Sequence, residues 1–156
     1  VSENGKDWEL ATVDAGWSPR AYHQSAVLNG KMYVFGGGNY TPEYHAKNDV
    51  WVTEDGINWE QVTEAAPWHE RIWFSSVVYR DCIWVMGGWS NNPYNNWGDA
   101  WYSRDGINWT EYKPGIFWPG RHEHSAFVFQ DKIFVAGGML PPLVNDVWSL
   151  DLPEDW

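Results

Sequence analysis

The feature that most constrains this chain is a unit of about fifty residues that occurs three times. The pentapeptide DGINW stands at Asp55–Trp59 and again at Asp105–Trp109, and double glycines end at Gly37, Gly88 and Gly138, each after a short apolar run. A repeat of this size folds as one supersecondary unit that cannot bury its apolar face alone, so neighbouring units must stack. The sequence therefore predicts one array of three small modules.

Tryptophans fix the register of the units. Each tryptophan that follows a double glycine, which is Trp51, Trp101 or Trp148, has a second tryptophan eight residues later. A third tryptophan comes nine residues after Trp8, Trp59 and Trp109, and an arginine lies three residues further on. That arginine precedes the first glycine of the next pair by sixteen residues in all three units. The third tryptophan of the series and its arginine are Trp17, Trp68 and Trp118 with Arg20, Arg71 and Arg121.

The segments between these markers have the pattern of short antiparallel strands. His23–Gly37 and Phe74–Gly88 contain short apolar or alternating runs interrupted by NG and RD, which predicts hairpins. DGIN supplies a second tight turn, because glycine tolerates the positive φ that such a turn requires. Each unit is therefore predicted to contain four strands, a to d in chain order, and the fold class is all-β.

The same register sets the boundaries within residues 1–156. A strand d is predicted at 8–13, followed by a first unit at about 17–64, a second at about 68–114 and a third at about 118–156. The third unit is expected to lack its own outer strand, because Trp156 occupies the position at which strand d begins in the other units.

The repeated residues resemble kelch repeats. The resemblance rests on R-x-x-H, a strand, K-x-Y/F-V, the double glycine, D-V-W and a closing tryptophan, with Phe74 as a departure where His23 and His124 stand. It implies a kelch-type β-propeller with three four-stranded blades in this chain and strand a lining the central channel. Propellers have about four to eight blades. We therefore expect a six-bladed ring made by a strand-exchanged homodimer, or alternatively half of a longer six-bladed protein.

Antiparallel order places the d–a and b–c loops on one face, and all length variation and many unrepeated aromatics fall there, including Tyr44 and Tyr94. Variable loops on a rigid scaffold are frequent binding sites. The arginines are expected to form an anion-binding ring, or alternatively to be structural ties to a carboxylate such as Glu70 or Glu123; the unit tryptophans could likewise be loop anchors. The predicted ligand-binding residues are Arg20, Arg71, Arg121, Trp17, Trp68, Trp118, Tyr22, Trp73, Glu123, Tyr40, Trp89 and Trp97.

The expected function is a non-enzymatic scaffold that binds an acidic peptide or a glycan, without a cofactor, metal or catalytic residue. His122 and His124 form a pair suited to a metal but lack a third ligand. Kelch-type propellers include galactose oxidase, whose copper site uses a cysteine crosslinked to a tyrosine; Cys82, at the start of a strand, does not suit that role. The alternative is an enzyme acting on an acidic sugar, as the resemblance to sialic acid epimerases implies, with Arg121 and Glu123 in the channel.

Charge and hydropathy restrict the partners. The formal net charge is −11, with 21 acidic residues against 10 lysines and arginines, so a nucleic-acid backbone would be repelled. No apolar run has the length of a membrane-spanning helix. The single cysteine excludes a disulfide within the chain, and the sequence assigns no compartment.

Overall fold

The computed structural model describes residues 1–115, 117–154 and 156. These residues form fifteen β-strands, and every strand pairing is antiparallel. The all-β prediction is confirmed. No helix in the described ranges is long and apolar enough to cross a membrane.

The three repeated units form three sheets. In each sheet the strands lie side by side in chain order. Sheet 1 contains β1 (Gln24–Leu28), β2 (Lys31–Phe35), β5 (Val50–Thr53) and β6 (Glu60–Thr63). Sheet 2 contains β7 (Ser75–Tyr79), β8 (Cys82–Met86), β11 (Ala100–Ser103) and β12 (Trp109–Tyr112). Sheet 3 contains β13 (Ser125–Phe129), β14 (Lys132–Met139) and β15 (Leu143–Leu150).

Two of the variable b–c loops are ordered as small hairpins, which the sequence did not predict. Their strands are β3 (Gly38–Asn39) with β4 (His45–Ala46), and β9 (Trp89–Asn91) with β10 (Tyr94–Asn96). In the third unit the corresponding loop continues the main sheet, because β14 and β15 are each eight residues long and pair beyond a bulge.

The double glycines are required by a close backbone crossing. Gly37 has a φ of 73°, and a Cβ atom there would lie 2.4 Å from the backbone nitrogen of His23. The amide of Gly37 donates a hydrogen bond to the carbonyl of Arg71 in the next unit, at 3.2 Å. A side chain at this position would therefore push apart the start of strand a.

The DGIN turns are held by one aspartate each. The Oδ1 atom of Asp55 accepts hydrogen bonds from the backbone amides of Ile57 and Asn58, both at 2.8 Å, and Asp105 repeats this arrangement. Asn4 does the same near the start of the chain, accepting from the amides of Lys6 and Asp7 at 2.9 Å. The segment before Trp8 is thus a third copy of the c–d turn, hidden in the sequence because an asparagine and an aspartate have exchanged places.

The apolar residues pack between successive sheets. One cluster joins sheets 1 and 2 around Phe35 and Val85, and the other joins sheets 2 and 3 around Trp84 and Val135. Trp68 and Trp118, from the d–a loops, are buried in these two clusters. The repeated tryptophans therefore hold neighbouring sheets together.

The far side of sheet 3 has no such partner in the described chain. Phe127 and Phe129 are 44% and 56% exposed there, and Phe134 lies between them with its ring stacked on Phe127. Nothing in the described ranges pairs with the outer edge of β15. Residues 8–13 form no strand within the chain, so their predicted role as strand d stays a prediction.

Candidate binding surface

Each sheet contains one buried arginine that forms a two-pronged ion pair with the aspartate at the start of strand c. In sheet 2, Arg71 Nη1 and Nη2 donate to Asp99 Oδ1 and Oδ2 at 2.6 and 2.8 Å. Nη1 also donates to the carbonyl of Gly87 and Nε to that of His69, so four of the five guanidinium hydrogens have protein acceptors. The other two pairs are Arg20 with Asp49 and Arg121 with Asp146.

The tryptophan of the D-x-W motif completes this arrangement. Trp101 Nε1 donates to Asp99 Oδ2 at 2.8 Å, and the same bond recurs in the other two sheets. Hydrogen bonds from Arg121, and then from Trp148, lower the pKa of Asp146. The repeated Arg, Asp and Trp are therefore one polar unit that joins strands a and c of the same sheet.

These contacts change the interpretation of the predicted arginine ring. The side chains of Arg20, Arg71 and Arg121 are at most 1% exposed. These contacts favour the alternative in which the arginines are structural ties. The partner of each arginine is an aspartate of the same sheet rather than Glu70 or Glu123. The guanidinium groups do not present a free anion-binding surface at the channel.

Three other predicted residues have left-handed backbone geometry, and each lies two residues before strand a of its sheet. Tyr22, Trp73 and Glu123 have φ values of 59°, 57° and 55°. Bulky residues rarely adopt this conformation, and when they do the strain often marks a functional site. The residue before each of them forms an isolated β-bridge with the residue that directly follows the double glycine, and this bridge fixes the position of the turn.

The side chains at these turns form an aromatic row across the three sheets. The ring centroids of Tyr22 and Trp73 are 5.5 Å apart, and Trp73 stacks on His122 of the next unit at 5.3 Å. The b–c loops add Tyr40, 5.0 Å from Trp73, and Trp89, 5.4 Å from Trp73. Four aromatic residues from different loops thus surround Trp73.

The members of this row differ in exposure. Tyr22 and Tyr40 are 44% and 45% exposed, whereas Trp89 is only 6% exposed and packs against Tyr40 and Trp73 from the buried side. Tyr44 and Tyr94 pack edge-on against Trp89. We refer to Tyr22, Tyr40, Trp73, Trp89 and His122 as the aromatic row.

The remaining predicted tryptophans belong to the framework. Trp68 and Trp118 are buried between sheets, and Trp17 packs on Trp59 with ring centroids 4.3 Å apart. Trp97 lies beside the ion pair of sheet 2, with the guanidinium carbon of Arg71 5.1 Å from its ring centroid. The alternative interpretation of the unit tryptophans as loop anchors agrees with these positions.

His122 is a member of the row that the predicted set of ligand-binding residues lacks. Its Nδ1 lies 2.7 Å from Asn96 Oδ1, so this contact fixes the ring in the orientation that stacks on Trp73. Burial lowers the pKa of His122, although the nearby Glu123 acts in the opposite direction. The imidazole is therefore largely neutral at pH 7. Its place in HEH suggested only a metal pair, and the described residues contain no group of three or more metal-ligating side chains.

A model of the kelch-repeat family, described as the KLHDC2/KLHL20/DRC7 kelch-repeats domain, matches residues 3–156. This chain belongs to the kelch-repeat family. None of the curated proteins matches the chain. The kelch-repeat assignment confirms the resemblance seen in the sequence, supports a β-propeller architecture and indicates a protein-interaction scaffold.

The loops of the kelch-repeat domain on the side of the aromatic row carry a negative charge. The charged side chains outside the three Arg–Asp pairs are five carboxylates and two lysines: Asp14, Glu43, Glu64, Glu70 and Glu123, with Lys47 and Lys113. Glu123 is half exposed, and its backbone amide donates to the carbonyl of Trp73 at 2.9 Å. Lys113 forms an ion pair with Glu111 at 2.8 Å.

One buried histidine of the kelch-repeat domain predicts acid sensitivity. Burial, and then the charges of Arg121 and His122, lower the pKa of His124 from 6.5 to about 4. A group with a lowered folded-state pKa contributes stability that is present above pH 6.5 and is lost as the pH falls towards 4. The expected loss is about 3 kcal/mol of unfolding free energy at pH 4, from about 1.4 kcal/mol per pKa unit.

His124→Phe is expected to remove most of this loss, since Phe74 occupies the same position in sheet 2 and is buried there. Urea unfolding of both chains between pH 7 and 4 measures the difference. Phe74→His is the matched reverse variant and should make the pH dependence steeper. Parallel curves for His124→Phe and the parent chain would show that His124 does not cause the acid sensitivity.

Proposed function

We propose that this kelch-repeat domain is a non-enzymatic scaffold that binds a segment of a partner protein on the face of the d–a and b–c loops. The observation that carries the proposal is the aromatic row, in which loops from all three sheets bring rings together at strained backbone positions. Aromatic side chains are enriched at the energetic centres of protein interfaces, and loops on a rigid scaffold vary without disturbing the fold.

The enzymatic alternative has less support. An enzyme acting on an acidic sugar would need a free guanidinium beside an acid or base in the channel. Arg121 is fully buried and donates to Asp146, Gly137 and Pro119. Glu123, two residues away, therefore has no available arginine partner from this position for binding a substrate carboxylate.

A glycan ligand would use the same rings. Sugar rings stack on exposed aromatic faces, and Tyr22 and Tyr40 offer such faces. Two indoles of the predicted ligand-binding set are less suitable for a glycan, because Trp89 is buried and Trp97 is half-buried beside the Arg71 guanidinium. A protein segment is therefore the ligand that we propose, and a glycan is an outcome of the test.

Trp73→Ala is expected to weaken binding by about 30-fold or more, as at a central interface residue that contributes about 2 kcal/mol. The probes are an immobilised library of random twelve-residue peptides and a glycan array, each measured with both chains. Ile107→Ala is the control, because Ile107 is exposed at the opposite c–d turn. Equal binding by Trp73→Ala and the parent chain would contradict the proposal, as would binding only to glycans.

We further propose that the domain acts as a closed ring made by two copies. In sheets 1 and 2, Tyr33 and Trp84 are 4% and 0% exposed, because each packs on the following sheet. Phe134 occupies the same register position in sheet 3, beside the exposed Phe127 and Phe129. The matching face is that of sheet 1, where Val27 and Met32 are exposed.

Two unpaired segments, the outer edge of β15 and residues 8–13, also support a ring of two copies. Trp8 and Leu10 are 75% and 77% exposed, and they follow a turn with the same hydrogen bonds as the turns before β6 and β12. That turn leads into residues 8–13, which pair with no strand of the described chain, and the outer edge of β15 has no partner strand either. We propose that residues 8–13 of each copy pair with β15 of the other, which makes six blades with two-fold symmetry.

A further inference from the structure

We infer that the aromatic row binds a cationic side chain, an arginine or lysine of the partner segment, rather than an acidic group. This inference rests on the proposed function, because it names the chemistry of the ligand for the same face. It replaces the expectation of an acidic peptide, which depended on three free arginines. Three independent observations support it: the neutralised guanidinium groups, the excess of carboxylates and the arrangement of the rings.

The first observation concerns the positive charges that could attract an acidic ligand. Each of the three arginines of this face is buried against its own aspartate, and the pair has no net charge. Of the two lysines in the loops, Lys113 is paired with Glu111. Lys47 is then the one basic side chain in the described d–a and b–c loops outside an ion pair, too little to make an anion site.

The second observation is the carboxylate beside the row. Glu123 occupies the left-handed position that Tyr22 and Trp73 hold in the other two units, so the fold presents it at the same level as the rings. Its side chain is 52% exposed. Its Oε2 atom lies 3.8 Å from Nε2 of His122, which places the carboxylate beside the row. An exposed carboxylate beside aromatic rings is a combination that suits an ammonium or guanidinium group.

The third observation is the mutual orientation of the rings. The planes of Tyr40 and Trp73 are inclined at 48°, and those of Tyr22 and Trp73 at 66°. Because these rings are inclined to Trp73 rather than stacked flat on it, Tyr22 and Tyr40 keep 44% and 45% of their surface exposed, and an exposed aromatic face attracts a cationic group. The domain already contains one such contact, where the guanidinium of Arg71 lies over Trp97.

The neutral state of His122 fits the same ligand. This ring stacks on Trp73, and burial lowers its pKa. Among the lysines and arginines of the surrounding loops, Arg71 and Arg121 are neutralised by aspartates and Lys113 is paired with Glu111, which leaves Lys47. At neutral pH the row therefore contains no unpaired positive charge of its own.

The test uses three synthetic peptide pools that are identical except for one fixed central residue, which is arginine, glutamine or glutamate. We expect the arginine pool to bind at least 10-fold more tightly than the glutamine pool, and the glutamate pool to bind most weakly. Glu123→Gln should reduce the arginine preference by about 3-fold to 10-fold, and Trp73→Ala should abolish it. Glu64→Gln is the matched control, since Glu64 lies in a d–a loop outside the row.

The outcomes separate this inference from the proposed function. Tighter binding of the glutamate pool, still lost in Trp73→Ala, would overturn the cationic ligand and leave the binding face in place. An arginine preference that both variants retain would also overturn it, because the net charge of −11 would then attract cations without the row. Failure of all three pools to bind would contradict the inference together with the proposed function.

Discussion

Asp99→Ala is expected to lower the free energy of unfolding by about 3–5 kcal/mol, the usual cost of removing one partner of a buried ion pair. Arg71 is fully buried, and its two-pronged contact with Asp99 is the one that neutralises it. The variant would leave this guanidinium uncompensated between the strands of sheet 2. Trp101 Nε1 would lose its acceptor in the same substitution. Equilibrium unfolding in urea measures the change.

A matched control is Asp151→Ala, which removes an ion pair with Lys132 at 2.7 Å whose side chains are 41% and 64% exposed. Exposed pairs contribute about 0–1 kcal/mol, so this variant should unfold close to the parent chain. Replacing both Arg71 and Asp99 by apolar residues of similar volume should recover part of the loss in Asp99→Ala. Similar small losses in Asp99→Ala and Asp151→Ala would show that the buried pair is not a structural tie.

Phe134→Asp is expected to convert the assembly from two copies to one. The proposed ring predicts twice the 18.1 kDa chain mass for the parent chain in native mass spectrometry, because in that ring the apolar face of sheet 3 packs on a second copy. A carboxylate placed between Phe127 and Phe129 would be buried without a partner in that interface. The inner side of sheet 3, with Ile133 and Val135, remains unchanged, so the variant should stay folded.

Ile107→Asp is the control for this substitution, since Ile107 is 51% exposed in the c–d turn of sheet 2, which contacts sheet 1 at Tyr33 and Thr63 and not the outer face of sheet 3. It should leave the mass at two copies. Deletion of residues 1–13 should also give single copies if the N-terminal segment pairs with β15. A parent chain with the mass of one copy at micromolar concentration would contradict the two-copy ring.

The sequence predicts the framework well because the framework is repetitive. The sequence predicts strands from alternating apolar residues, turns from the turn dipeptides and the register from tryptophans at fixed spacing. The structure forms the same four-stranded arrangement in sheets 1 and 2. The small hairpin β9–β10 was not predicted because it lies in a variable loop. Nothing in its sequence is shared with a second unit, so no register could be assigned to it.

The binding surface is less predictable, because it depends on which long-range partner each side chain finds. Arg71 and Asp99 lie 28 residues apart, and the sequence suggests a nearby carboxylate such as Glu70 instead of Asp99 as the partner of the arginine. Tyr22, Trp73 and Glu123 occupy the same repeat position but differ in chemistry, and their shared left-handed backbone conformation appears only in the structure. The recurring R-x-x-H, D-x-W and double-glycine markers therefore indicate the scaffold and not the ligand.

The claim that the loop face binds the partner is tested most directly by the indole signals of the 14 tryptophans in solution NMR. A saturating peptide from the random library is added, whatever its charge. The account predicts large shifts for the indole N–H of Trp73 and Trp89, with Trp59 and Trp109, at the start of the outer strands, nearly unchanged. Shifts at Trp59 and Trp109, with Trp73 and Trp89 unchanged, would contradict it.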